Sequence, residues 1–234
     1  MIMKICIAYR GLSWLENHTN HHGTCTFSML DVLDNHMSKI VEPLRARGHD
    51  VVFAISTNES PILSSVVAKL GECVYVSSKG EDQMDRAHMI LENMPSDVTH
   101  VLLMRCDIRF KCYITEIPIQ WDTMNFPWVN FDRHFPRNGD VLFAFPRDLF
   151  PHVSQSFKTL HEYFKQRKEI PHGHGFYKRF FKSRKYTCMV SDDYNSNTDV
   201  TQNPIFELAR SFGATVPLHP RIQKGIAILK SGKS

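Results

Sequence analysis

Val101-Leu102-Leu103-Met104-Arg105-Cys106-Asp107-Ile108-Arg109-Phe110 is an apolar run that breaks into charge toward one end. Continuous apolar runs of this length form strands buried on both faces. The strand is read over His100–Arg105, which leaves Asp107 at its carboxyl end. Just before it, Asp82–Met94 repeats apolar residues at helical spacing through Met84, Ala87, Ile90, Leu91 and Met94. Earlier come a strand over Cys73–Val76, a helix over Pro61–Leu70 closed by Gly71, and a strand over Val51–Ser56. Proline early in a helix and glycine just past its end are standard punctuation. A long helical pattern runs through Met29, Leu30, Leu33, Met37, Ile40, Val41 and Leu44 to a stop at Gly48. Pro43 is expected to kink or split that helix. The first strand is Lys4–Tyr9, and a polar, His-rich loop is expected over Asn17–Gly23. Strands and helices alternating in this order predict an α/β fold, a mostly parallel Rossmann-like sheet with helices on both faces.

Beyond Asp107 the texture changes. Residues 108–140 hold Pro118, Pro127 and Pro136 among scattered aromatic residues and show little periodicity. Irregular segments of this length in compact proteins usually build a site or a lid. A strand is read over Val141–Phe145, a helix over Leu149–Arg167, a helix over Phe176–Phe181, a strand over Tyr186–Val190 and a helix over Asn203–Ser211. No repeat, low-complexity tract or linker interrupts the chain. Residues 1–234 are therefore read as one domain with an ordered half, 1–110, and an irregular half, 111–234.

Composition removes several classes. Apolar residues make up 42% and charged residues 22%, which excludes disorder, collagen and coiled coil. The net charge of +4 is too small to mark a nucleic-acid binder, and no nucleic-acid partner is expected. No apolar run approaches the ~18 residues of a membrane helix. Met1-Ile2-Met3-Lys4 leads directly into the first strand, so no secretory leader is expected and the chain is placed in the cytoplasm. The six cysteines are scattered without a C-x-x-C pair and read as reduced thiols.

Ligands of open parallel α/β sheets sit beyond the carboxyl ends of the strands. That rule selects Arg10 and Gly11, Thr57 and Asn58, then Arg105, Cys106 and Asp107. Cations and small polar groups with one carboxylate suit a phosphorylated ligand. Arg10-Gly11-Leu12-Ser13-Trp14 lacks the G-x-G-x-x-G fingerprint, which argues against NAD or FAD. No P-loop, G-x-S-x-G elbow or H-E-x-x-H is found either. Arg105 can meet a phosphate with a bidentate fork, and Asp107 can hold a hard dication bound to a diphosphate. Alternatively the two simply close a salt bridge at the sheet edge. Arg86 follows Gln83 by three residues on one helix face, from which it can reach a nucleotide or only meet solvent.

Arg105-Cys106-Asp107 at a strand end, preceded by Gln83-x-x-Arg86, resembles the nucleotide-sugar glycosyltransferases of the single-Rossmann, GT-A type. In that family an Asp-x-Asp motif ends the fourth strand and carries the metal and the donor diphosphate. The stretches Gly139–Pro146 and Tyr194–Asp199, with Asn203-Pro204-Ile205-Phe206 and Arg210, resemble blocks of glycosyltransferase-like proteins of chloroviruses and other large algal DNA viruses. The resemblance implies a GT-A-like fold with a nucleotide-sugar half at 1–110 and an acceptor-side half at 111–234. It implies a UDP-linked donor, of a pentose or deoxysugar such as xylose, and a glycan or glycoprotein acceptor such as a viral capsid N-glycan. In a viral setting the compartment is the host cytoplasm. Arg10, Gly11, Thr57, Arg86, Arg105 and Asp107 are the donor-binding set, and Asp107 is the expected ligand of a donor-dependent Mn²⁺ or Mg²⁺. Arg105 stands where the family has its first Asp, which leaves one carboxylate for the metal.

An inverting transfer also needs a general base for the acceptor hydroxyl. Asp122, Asp132, Asp140, Asp192 and Asp193 are the candidates in the second half, with Asp132, in the aromatic stretch Trp121…Trp128…Phe131, and Asp140, just before a strand, singled out, although aspartate also serves turns and caps. Two His-rich pieces, His18/His21/His22 and His172-Gly173-His174, lack partners at a familiar metal spacing. Lys178–Lys185 mixes five cations with two rings, which suits RNA or an acidic surface, or a helix face with a buried Phe pair. The rival reading is a non-enzymatic nucleotide or nucleic-acid binding protein on the same Rossmann-like core.

Overall fold

A computed structural model describes residues 2–20, 23–127, 129–130, 137–168, 185–190, 204–209 and 211–212. The N-terminal half contains β1 (Lys4–Arg10), β2 (Trp14–Asn20), β3 (Gly23–Ser28), α1 (Leu30–His36), α2 (Glu42–Ala46), β4 (Asp50–Ser56), α3 (Leu63–Leu70), β5 (Cys73–Ser77), α4 (Gln83–Glu92) and β6 (His100–Arg105). After it come β7 (Ile108–Phe110), β8 (Met124–Phe126), β9 (Val129–Asn130), β10 (Arg137–Asn138), β11 (Leu142–Pro146), α5 (Phe150–Arg167), β12 (Tyr186–Cys188), β13 (Phe206–Leu208) and β14 (Ser211–Phe212).

Seven strands form the main sheet in the order β12-β8-β11-β6-β1-β4-β5. Only β11 opposes the rest, pairing antiparallel with both β6 and β8. The fold is thus the expected mostly parallel α/β sheet. Residues 5–10 of β1 are buried on both faces, which explains why the strand reads as an unbroken apolar run. Ile5, Ile7 and Tyr9 pack with Val32, Leu33, Val66 and Leu70 of α1 and α3 on one face. Cys6 and Ala8 face Met84, Ala87 and Ile90 of α4 and Val153, Phe157 and Leu160 of α5 on the other. Each large side chain buried this way contributes about 1.5–3 kcal/mol, so the two apolar layers fix the helices on opposite faces.

Local chemistry sets the helix limits. Asp82 caps α4 by accepting from the Met84 and Asp85 amides, and His161 on α5 meets its other oxygen at 2.6 Å. Gly71, at φ +83°, closes α3. The expected break at Pro43 takes a particular form. A π-helical stretch, Met37–Val41, joins α1 to α2, and Pro43 falls in the first turn of α2. Proline lacks the amide donor and crowds the carbonyl four residues back; the wider turn just upstream absorbs both.

Three expectations need correction. The segment read as a polar loop over Asn17–Gly23 lies largely within the β2–β3 hairpin, to which β14 adds. The helix read over Asn203–Ser211 is absent among the described residues. Phe206–Leu208 instead pairs antiparallel with Ile108–Phe110, and Ser211–Phe212 with β3. Cross-strand pairing overrode an apolar spacing that also fitted a helix. The irregular segment also contributes a sheet strand, β8. Asn125 makes it possible: its buried Nδ2 donates to the carbonyls of Gln120, Thr123 and Ala144, tying the preceding turn to β11. The helix read over Phe176–Phe181 lies outside the described residues.

Candidate functional site

From β1 the sheet proceeds to β4 and β5 on one side, while β6 lies on the other. Strand order therefore reverses between β1 and β6, which places the crevice expected of an open α/β sheet at their carboxyl ends. The two strands are in register there, Arg10 opposite Arg105. Alternation puts both on the α4–α5 face, one step beyond Ala8 and Leu103.

Arg10 is fully buried. Its Nη1 donates to Gln83 Oε1 at 2.9 Å and its Nη2 to the Asp140 carbonyl, while the Phe143 and Phe157 rings lie 5.5 and 5.8 Å from its guanidinium carbon. Burial lowers its pKa to about 10, against the pull of Asp140, so it stays charged at neutral pH. Arg10 thus forms the floor of the crevice and holds Gln83 and Asp140 there. With no exposed surface, it reaches a ligand through its field and not through the direct contact expected from sequence.

Arg105 is the outermost fork. Its Nε and Nη2 donate to the two oxygens of Asp107 at 2.8 and 2.6 Å. Burial opposes its charge, but the Asp107 carboxylate outweighs burial and holds the pKa above the ordinary arginine value. The salt-bridge alternative is therefore realised, and Asp107, only 2% exposed, is engaged through both oxygens. Arg86, in the first turns of α4, is buried as well, and burial lowers its pKa. The Cys106 thiol lies in the field of Arg86, Arg105 and Arg10; burial and Asp107 nevertheless push it up to about 12, so it is no nucleophile.

The remaining sequence candidates divide. Asp140 is buried at the start of the β11 segment and acts electrostatically on both Arg10 and Arg105. Gly11, at φ +108°, turns the chain off β1, with Gln83 Cγ 3.9 Å from where a Cβ would stand. Thr57 is buried, and its hydroxyl accepts from the Ser13 amide at 2.7 Å and donates to Asn58 Oδ1. It ties down the loop after β1. Asp132, His172, His174 and most of the Lys178–Lys185 run lie outside the described residues. Gln83, the residue that fixes Arg10, was visible in sequence only as part of Gln83-x-x-Arg86.

A cation site formed before the donor arrives would have a poor donor set here. Asp107 already serves the bidentate Arg105 fork, Arg10 also acts on it electrostatically, and no metal-ligating group of three or more side chains occurs among the described residues. A hard dication prefers several uncommitted oxygens. The residues present do not fit a preformed cation site.

Comparison with known proteins fits the architecture. No family model matches the chain, and no curated protein matches it. Among solved structures, 4-diphosphocytidyl-2C-methyl-D-erythritol synthase from Anaerococcus prevotii superposes with a TM-score of 0.51 at 12% identity, covering 98% of this chain and 96% of that one. A protein assigned as glucose-1-phosphate thymidylyltransferase from Bacillus anthracis gives a TM-score of 0.43 at 10% identity, over 80% of this chain and 85% of the other, and is too distant to add to the fold assignment. The likeness supports the fold: a mostly parallel, Rossmann-like α/β sheet like that of the Anaerococcus synthase. Among the described residues no helix is long and apolar enough to cross a membrane.

Proposed function

We propose that the chain is a glycosyltransferase that binds a nucleotide-sugar donor at the carboxyl ends of β1 and β6. One observation carries this reading: Arg10 and Arg105 stand opposite each other on the face of α4, the helix that carries Gln83 and Arg86, at the point where strand order reverses. Buried guanidinium groups are matched to phosphate oxygens by charge and geometry. Arg105 and Arg86 face the diphosphate, Arg10 supports it from beneath, and Asp107 orients the Arg105 fork. The acceptor, a glycan or glycoprotein, approaches from the half that carries Asp132 and Asp140. A viral capsid N-glycan is the acceptor to which the sequence resemblance points, and a UDP-linked pentose or deoxysugar is the donor. In an inverting reaction one of these aspartates takes the acceptor hydroxyl proton as its oxygen attacks the anomeric carbon. The bond to the leaving diphosphate breaks, and the arginines hold the charge that develops.

The likeness to a cytidylyltransferase favours a second reading, transfer of a nucleotidyl group. The products separate the two: a nucleoside diphosphate from a nucleotide sugar, or inorganic pyrophosphate from a nucleoside triphosphate. The test is a thermal-shift screen over UDP, GDP and their sugars, followed by product analysis with glycan acceptors. Stabilisation by a nucleotide sugar, with release of its nucleoside diphosphate, is expected. Asp140→Asn and Asp132→Asn then identify the base, which is the variant that keeps donor binding and loses turnover. Stabilisation by nucleoside triphosphates alone overturns the glycosyltransferase reading.

A further inference from the structure

We infer that this site compensates the donor diphosphate with arginine charge in place of a divalent cation, an inference that rests on the donor-site reading above. Asp107, the carboxylate on which a metal would depend, has both oxygens in the Arg105 fork. A dication there must displace a bidentate, charge-assisted pair and sit beside the guanidinium it displaced. The arrangement of charge points the same way. Arg10 and Arg105 stand opposite each other at the strand ends with Asp107 and Asp140, while Arg86 is balanced by Asp82 and Asp85 at the start of α4. A guanidinium already seated on Asp107 repels a dication and attracts an anion, and at low effective dielectric both effects are strong.

A buried donor reinforces the argument. Arg86 Nε has no hydrogen-bond acceptor among the described residues. An unsatisfied buried donor on a charged group is costly, and phosphate oxygens are acceptors of the matching charge. The chain also keeps space for Arg86: a Cβ on Gly80 would collide with Arg86 Cγ and stand 3.3 Å from its Cα. Arg105 is the outermost of the three forks, with its side chain 15% exposed. A phosphate therefore meets Arg105 first and competes with Asp107 for it. Asp107 then acts as the placeholder that keeps the fork oriented while the donor is absent.

The probe is inorganic pyrophosphate, titrated calorimetrically into the full chain in excess EDTA. Binding is expected in EDTA, and Gly80→Ala, which displaces Arg86, should weaken it about tenfold or more, as for loss of a charge-assisted hydrogen bond. Asp107→Asn supplies the decisive sign. It frees the Arg105 fork while preserving shape, so pyrophosphate should bind at least about threefold tighter, since the competing carboxylate charge is gone. A metal-ligand role for Asp107 requires the reverse. Equal or weaker binding by a folded Asp107→Asn protein overturns the inference. So does wild-type binding that vanishes in EDTA and returns with Mn²⁺. Failure of the donor reading looks different: pyrophosphate binds in EDTA while no nucleotide sugar does.

Discussion

Tyr9 and Arg10 are neighbours on β1, equally buried, and they meet opposite faces of the sheet. On the α1–α3 face the Tyr9 ring stacks on His36, with centroids 5.6 Å apart, and the Tyr9 hydroxyl has no partner among the described residues. His36 donates from Nε2 to the Ile108 carbonyl at 2.6 Å, and burial lowers its pKa to about 4. Both buried groups stay neutral there at pH 7. On the other face Arg10 keeps its charge because Gln83, the Asp140 carbonyl and two aromatic rings surround it. Equal burial therefore gives unequal chemistry. Partners decide whether a buried group stays ionised, and they are provided on the face where we propose that the donor diphosphate binds.

The contrast breaks most sharply at Arg10. Arg10→Ala removes the floor of the crevice, leaves Gln83 and the Asp140 carbonyl without their donor, and opens a cavity against Phe143 and Phe157. A loss of about 3–5 kcal/mol is expected by urea unfolding. A loss below about 1 kcal/mol would mean that the guanidinium is not buried in the folded protein.

His36 gives the next largest effect. Its folded-state pKa lies below the ordinary 6.5, so the unfolded chain binds the extra proton. The stability it contributes is complete above pH 6.5 and is lost as pH falls toward 4, by up to about 3 kcal/mol. His49 and His100, also lowered by burial, add to the same trend. The His36→Gln variant isolates the share of His36: the urea midpoint should fall less steeply between pH 6.5 and 4 than in wild type. Identical slopes would remove His36 from the acid sensitivity.

Tyr9→Phe is the smallest and differs in sign. Deleting a buried hydroxyl without a partner should leave stability unchanged or raise it by up to about 1 kcal/mol. A clear loss would show that the hydroxyl is satisfied after all, and the two faces would then be more alike than they look.

Much of this architecture was legible in sequence because parallel strands buried on both faces leave unbroken apolar runs. Lys4–Tyr9, Val51–Ser56 and His100–Arg105 were located within a residue or so, and the strand-end rule then named Arg10, Arg105 and Asp107. What escaped lay in short strands whose evidence is a partner far along the chain. Met124–Phe126 has three residues and depends on Asn125, and Phe206–Leu208 is a strand because Ile108–Phe110 lies beside it. The state of the site was equally hidden. Nothing in Arg105-Cys106-Asp107 says whether Arg105 faces a ligand or grips Asp107, since that depends on how the chain turns after β6. Nor does alternation alone reveal that Arg10 lies under Asp140, a contact 130 residues away.

The central claim is that the carboxyl ends of β1 and β6 hold a nucleoside diphosphate through Arg105. Calorimetric titration of UDP into wild type and Arg105→Gln, both verified as folded at the working temperature, tests it most directly. Losing the charge-assisted fork should weaken UDP binding about ten- to a hundredfold, equivalent to ~1.5–3 kcal/mol. Equal affinity in the two proteins would place the nucleotide elsewhere and contradict the account.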